Sequence, residues 1–196
     1  MSIAIIGNGG LGREVKSYFD KVGIESSFFV SDEFYNGQHK TSKLSELDIE
    51  RYHVLVCIAD CGGKEKIVKS LPKQTKYFTF IHPSAQVYTE HEIGEGSIIC
   101  SNVVITSNVR IGNHVLVNLN STIGHDTIIG DYCTINPNSS ISGNCKIKSN
   151  VFIGSGSSIR EKIEIESEAI IGLGTVVVKD IIEEGTYVGV PSRKIK

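Results

Sequence analysis

The sequence predicts two architectures in tandem. A small half-Rossmann-like α/β domain spans residues 1–85, a parallel β-helix of about five coils spans 86–182, and a C-terminal tail spans 183–196. Three observations carry this prediction. Every sixth residue from Val87 to Val177 is Ile or Val, sixteen in succession without an insertion. Residues before the repeat alternate apolar strand patterns with helical ones. A glycine turn, Gly7, Gly9 and Gly12, separates the first strand from the first helix.

The N-terminal elements follow in order. "SIAIIGNGGLGREVKSYFDKVG" reads as strand, glycine turn and helix, with Val15, Tyr18, Phe19 and Val22 on one helical face. "SSFFVSDEF" and "HVLVCIAD" are further apolar strands, "GGKEKIVKSL" is a short helix and "KYFTFI" a last strand. Strands alternating with helices indicate a small parallel sheet. "IHPSA" (81–85) then leads into the first coil.

A strict period of six is the mark of a hexapeptide-repeat solenoid. Three hexads close one triangular coil, so residues eighteen apart stack on adjacent coils about 4.8 Å apart, the strand spacing. Four residues after each aliphatic stands a small or branched side chain, such as Ser97, Val103, Ser121, Thr127, Cys133 and Ser139, which suits a narrow interior. One residue earlier the column runs Gly96, Asn102, Asn108, His114, Asn120, Asp126, then Asn138, Asn144, Asn150, Gly156 and Gly174. Gly, Asn and Asp, and less often His, tolerate the positive φ of tight corners. The period is expected to break at Glu183-Glu184-Gly185, ahead of a basic tail.

Composition excludes several classes. Net charge is −2 and hydrophobic content 40%, with no Lys/Arg cluster dense enough for nucleic acid. The apolar run "VLVCIA" is too short to span a bilayer, and the N-terminus lacks the features of a signal peptide. Five cysteines, an odd number without CxxC spacing, read as reduced thiols in a cytoplasmic protein.

Two stretches carry chemistry. Gly7, Gly9 and Gly12 form GxGxxG after a strand, and Asp32 follows twenty residues after Gly12, which completes a dinucleotide fingerprint. Yet the roughly 80 residues available supply only half of the six-stranded fold that holds NAD. What the motif provides is backbone N–H groups at a helix N-terminus, which attract any phosphate, a nucleoside diphosphate included. A tight structural turn is the plain alternative. The histidines are His39, His53, His82, His91, His114 and His125; only His114 and His125 lie well inside the coils, at different hexad positions. A zinc site needs three ligands closing on one metal, so none is expected. His125 points outward near a corner, with Ser107 and Gly143 as its ladder neighbours, and a glycine above a histidine leaves room for a ligand. Asp126 can accept a hydrogen bond from one ring nitrogen, fixing the tautomer and leaving the other nitrogen as the base. Asp126 also belongs to the corner column, and a corner role alone would account for it. An NAD-dependent oxidoreductase and a structural solenoid without an active site are the readings from other classes.

The chain resembles the left-handed β-helix acyltransferases, and within them the bacterial sugar acetyltransferases of the sialic acid O-acetyltransferase-like group. The resemblance rests on "IIGNGGLGREV", "VSDEF", "IHPSA", the hexads, "IGHDTIIGDYC" and the terminal "YVGVPSRK". It implies an acetyl-CoA-dependent N-acetyltransferase acting on the 4-amino group of a UDP-, GDP- or dTDP-linked 4-amino-4,6-dideoxysugar for surface glycans. O-acetylation of a sialic acid or related hydroxyl is the alternative. By resemblance His125 is the general base and Asp126 its orienting acid. Gly9, Gly10 and Leu11 hold the diphosphate and sugar. Asp32 and Glu33, with Ala59 and Asp60 at the next strand end, contact the nucleotide. Acetyl-CoA lies along the coils between two subunits of a homotrimer, touching Asn118, Gly143, Ser155 and Leu173 largely through backbone. Thr134 stands where some relatives carry a second histidine. No metal is implied.

Overall fold

A computed structural model describes residues 2–37, 40–88 and 92–196. The chain forms two compact units, 1–79 and 80–196.

In the first unit, β1 (Ser2–Ile6), β2 (Ser26–Val30), β3 (Thr41–Lys43) and β4 (Tyr52–Val56) form a parallel sheet in the order β3-β2-β1-β4. Ala4, Ile6, Phe29, Val54 and Val56 make its core. Helix α1 (Gly10–Val22) buries Gly12, Val15 and Phe19, and Gly23 ends it at a left-handed φ of 76°. Val22, expected on the buried face, is 48% exposed because it lies in the last turn beside that cap. Helix α2 (Cys61–Ser70) starts at Asp60, whose carboxylate accepts the Gly63 N–H at 2.7 Å. Two glycines of the turn are required, one by backbone conformation and one by packing. Gly7 has φ 105°, and a Cβ on Gly12 would lie 2.0 Å from the Gly7 carbonyl oxygen. The predicted strand "KYFTFI" divides: Tyr77 bridges Val54 in this sheet, whereas Phe80–Ile81 pairs with Ile98–Ile99 in the solenoid.

The second unit is the left-handed parallel β-helix, with about six turns. It gains on the expected five because pairing begins at Phe80–Ile81, before the first counted hexad, and continues to Gly185–Val188. The first face carries Ile98–Ile99, Leu116–Val117, Thr134–Ile135 and Phe152–Ile153. The second carries Val104–Ile105, Thr122–Ile123, Ser140–Ile141 and Ser158–Ile159, and the third Arg110–Ile111, Ile128–Ile129, Lys146–Ile147 and Glu164–Ile165. These pairings join residues eighteen apart, and the step shortens to sixteen only in the last coil, where Ala169–Ile171 pairs with Gly185–Tyr187. The period breaks slightly earlier than Glu183: Ile181, not residue 183, bridges Ile165.

The aliphatic column is buried throughout, from Ile99 at 0% to Ile171 at 0% exposure. The small column beside it does more than fit. Ser97, Ser121, Thr127, Ser139 and Ser157 each donate a side-chain hydroxyl to a backbone carbonyl fifteen residues on. Buried hydroxyls need such partners, and the coil supplies them by repetition. The corner column has φ from 54° to 62° at its non-glycine positions, including Tyr132, Lys162 and Glu168, residue types that rarely adopt it.

Candidate active site

In the first unit a cavity of about 800 Å³ opens at the carboxyl ends of β1, β2 and β4. Strand order reverses at β1, with β2 on one side and β4 on the other, and crevices at such switch points take ligands. Gly9, Gly10, Leu11, Glu33, Ala59 and Asp60 all line it. A Cβ on Gly9 or Gly10 would meet nothing within 4 Å, so chain packing does not demand glycine at either position. Helix α1 points its N-terminus here with no side-chain cap and no acidic residue in its first turn. Those backbone N–H groups suit an anion.

Asp32 is placed differently. Its carboxylate accepts the Ser45 hydroxyl at 2.7 Å and the Ser45 N–H at 3.2 Å, and it lines an adjoining hollow. The hydroxyl bond first, then the backbone bond, holds its pKa below the usual carboxylate value. Lys66 and Phe34, which the sequence reading did not single out, also line the main cavity, and Lys66 is its one cationic side chain among the described residues. The helical period of α2, run from Gly63, would have pointed to Lys66.

In the second unit His125 and Asp126 sit at the corner between the second and third faces, after Thr122–Ile123 and before Ile128–Ile129. His125 Nδ1 lies 2.7 Å from Asp126 Oδ2. Asp126 has φ 60°, so it is a corner residue and also the imidazole's partner. Its other oxygen accepts a hydrogen bond from Asn108 Nδ2 at 3.1 Å. The bond to His125, then the bond to Asn108, holds the Asp126 carboxyl below its usual value. Asn108 is a residue the sequence reading passed over as a corner position. The same eighteen-residue step that links His125 to Gly143 leads from Asp126 to it.

The ring lies over Gly143. A Cβ built there would be 2.7 Å from His125 Nε2, 2.8 Å from Cε1 and 3.0 Å from Cδ2. Only glycine leaves that space to the imidazole. With Nδ1 bonded to Asp126, Nε2 is the nitrogen left to exchange a proton.

The remaining expected contacts for acetyl-CoA fall elsewhere on the coil. Asn118, Ser155 and Leu173 belong to corners between the first and second faces, and Leu173 is 82% exposed. Asn118 Oδ1 accepts the Leu119 N–H at 2.8 Å. Thr134 is a buried residue on the first face. Within one chain, then, Gly143 is grouped with His125, while the others lie across a face from it. His114 is buried and stacked on Tyr132, ring centroids 5.4 Å apart. His39 and His91 lie outside the described residues. No group of three or more His, Cys, Asp or Glu among the described residues is placed to hold a metal. No described helix is long and apolar enough to cross a membrane.

The fold and this corner define a class: a hexapeptide-repeat β-helix with an α/β unit before it and a His–Asp pair mounted on one edge. Residues 108–143 match the family described as bacterial transferase hexapeptide (six repeats). Among curated proteins none matches the chain in sequence. Among solved structures, WeeI from Acinetobacter baumannii AYE is similar over 100% of both chains, at 28% identity and a TM-score of 0.89. The acetyltransferase domain of PglB from Neisseria gonorrhoeae FA1090, in complex with acetyl coenzyme A, is 24% identical over 99% of this chain and 98% of that one, with a TM-score of 0.86. A variant of perosamine N-acetyltransferase from Caulobacter crescentus, in complex with CoA and GDP-perosamine, is 23% identical over 100% and 97%, with a TM-score of 0.89. The chain has the fold of these acetyltransferases along its whole length.

Proposed function

We propose that the protein transfers an acetyl group from acetyl-CoA to the 4-amino group of a nucleotide-linked 4-amino-4,6-dideoxysugar. The observation that carries this reading is the His125–Asp126 pair, with the imidazole and its Nε2 lying in the space that Gly143 leaves. Support comes also from the first unit's cavity, where uncapped N–H groups of α1 and the Lys66 ammonium suit a diphosphate. Gly9, Gly10 and Leu11 would cradle it. Glu33, Ala59 and Asp60 would border the nucleoside; Asp60 keeps its capping role, and Asp32 would act through the loop it ties to Ser45.

The chemistry follows from the corner. An amine arriving as ammonium has no lone pair. His125 Nε2 accepts a proton from it as the nitrogen attacks the thioester carbonyl, while Asp126 holds the ring and offsets the imidazolium charge. The N–C bond forms, the C–S bond breaks, and the amide keeps one N–H. Of the two protons lost, one ends on the sulfur of CoA and one reaches solvent. The Gly143 N–H makes no backbone hydrogen bond among the described residues and is the candidate donor to the tetrahedral oxyanion.

Asn118, Ser155 and Leu173 would contact acetyl-CoA, whereas Thr134, fully buried, offers it no surface in the single chain. Their separation from His125 by a full face supports a site shared between neighbouring subunits of a homotrimer, since flat solenoid faces pair readily around a threefold axis. A cytoplasmic enzyme of bacterial surface-glycan synthesis is the setting this reading implies. The test is direct. UDP-, GDP- and dTDP-linked 4-aminosugars are incubated with acetyl-CoA, and products are read by mass spectrometry. Acetylation of none of them sinks the reading. Light scattering should give about three times 21.3 kDa; a fully active monomer would rule out the shared site.

A further inference from the structure

The corner that carries His125 continues upward, and its next side chain is a carboxylate. Backbone hydrogen bonds fix the stack: the carbonyl of Ser107 accepts the Asp126 N–H, that of His125 the Asn144 N–H, and that of Gly143 the Lys162 N–H. Ser107, His125, Gly143 and Glu161 are therefore successive rungs of one ladder. Gly143 contributes no side chain, and the imidazole fills its rung. Nε2 is thus raised to the level of Gly143, one rung below Glu161.

We infer that Glu161 holds the substrate's ammonium group beside His125 Nε2 and so selects amines over hydroxyls at this site. Adjacent rungs are about 4.8 Å apart, and two hydrogen bonds of about 2.9 Å diverging from one tetrahedral nitrogen set their acceptors about 4.7 Å apart. One nitrogen donating to Nε2 on one side and to Glu161 on the other fits that interval. Only an ammonium or amine has the donors for both. A sugar hydroxyl has a single proton, so it can serve one partner and would leave the other unmet. Glu161 is exposed, and no hydrogen bond or ion pair engages its carboxylate among the described residues. Neither flanking cation, Arg160 nor Lys162, forms an ion pair with it among the described residues.

This inference rests on the N-acetyltransfer reading and goes beyond it by naming what distinguishes the acceptor. The test pairs Glu161→Gln, and Glu161→Asp as the conservative variant, with two ligands: a nucleotide-linked 4-aminosugar that the wild type acetylates, and its 4-hydroxy counterpart as a competitive inhibitor. Glu161→Gln should raise KM for the amine about 10-fold, the scale of one hydrogen bond to a charged group. It should change kcat less, and leave unchanged the acetyl-CoA KM, the Ki of the hydroxy ligand and the melting temperature. Glu161→Asp should recover part of the loss. An equal loss for amine and hydroxy ligands would assign Glu161 a general structural role, and no loss for either would remove it from the site; both overturn the inference. Failure of the wild type to acetylate any of the amines is a separate result, seen without the variants, and it overturns the underlying reading as well.

Discussion

Gly143→Ala tests the corner geometry with one methyl group. The new Cβ would sit 2.7 Å from His125 Nε2, against the 3.4 Å of ordinary contact, so the ring must retreat by about 0.7 Å. The clash is with the end of a half-exposed side chain and not with backbone, and Gly143 has no left-handed φ. The protein can relieve it by swinging the imidazole outward. Stability should therefore change little, within about 1 kcal/mol. The swing, however, strains the 2.7 Å bond to Asp126 and takes Nε2 off its line. Misplacement of a reacting group by about 1 Å costs about 10²-fold in rate, so kcat should fall by about that factor with the melting temperature held. Gly124→Ala is the counterpart. There the Cβ would meet backbone, Gly143 N at 2.6 Å and Ser142 C at 2.7 Å, which cannot rotate away. That variant should lose about 1–3 kcal/mol of stability. Steady-state kinetics and thermal melts on both variants decide the matter. A Gly143→Ala protein with full kcat would refute the claim that the ring's place over Gly143 serves catalysis.

His125→Ala should lower kcat by about 10²–10⁴-fold with little change in KM, measured by thiol release from acetyl-CoA. Asp126→Asn retains a residue suited to φ 60°, so melting should be unaffected, while kcat should drop by a smaller factor than for His125→Ala; unaltered kcat would leave Asp126 a corner residue only. Because the Asp126 carboxyl is held low, its pairing with His125 is complete above the ordinary carboxylate pKa and is lost only as pH falls through the lower folded value. Gly10→Ala adds a methyl where nothing lies within 4 Å, so the fold should stand, while nucleotide-sugar affinity weakens and acetyl-CoA affinity does not; equal losses by calorimetry would make the turn merely structural. On the third face, Lys148 lies 2.7 Å from Glu166, and that bond first, then the Ser167 N–H, lowers the Glu166 pKa. Glu166→Gln should therefore flatten the melting-temperature curve on its acid side, where the wild type loses the interaction as pH falls, and a parallel curve would count against it.

The solenoid and the neighbours of His125 were legible in the sequence because a repeat turns spatial adjacency into arithmetic. With three hexads to a coil, the step of eighteen put Gly143 above His125 without knowledge of any contact, and the Ile/Val column named the core. Only the tertiary structure decided what has no period. It laid the imidazole across Gly143 and brought Asn108 to the second oxygen of Asp126, because side-chain direction at a corner depends on packing from neighbouring rungs. It imposed positive φ on Tyr132, Lys162 and Glu168, whose own preferences oppose it, because the closure of each coil outweighs the local cost. In the first unit, where no repeat exists, the glycine spacing announced the turn between β1 and α1. Yet Asp32, twenty residues on as the fingerprint requires, bonds Ser45 instead of lining the main cavity. That outcome depends on where the β2–β3 connection returns to the sheet, a long-range matter of packing that residue spacing does not encode.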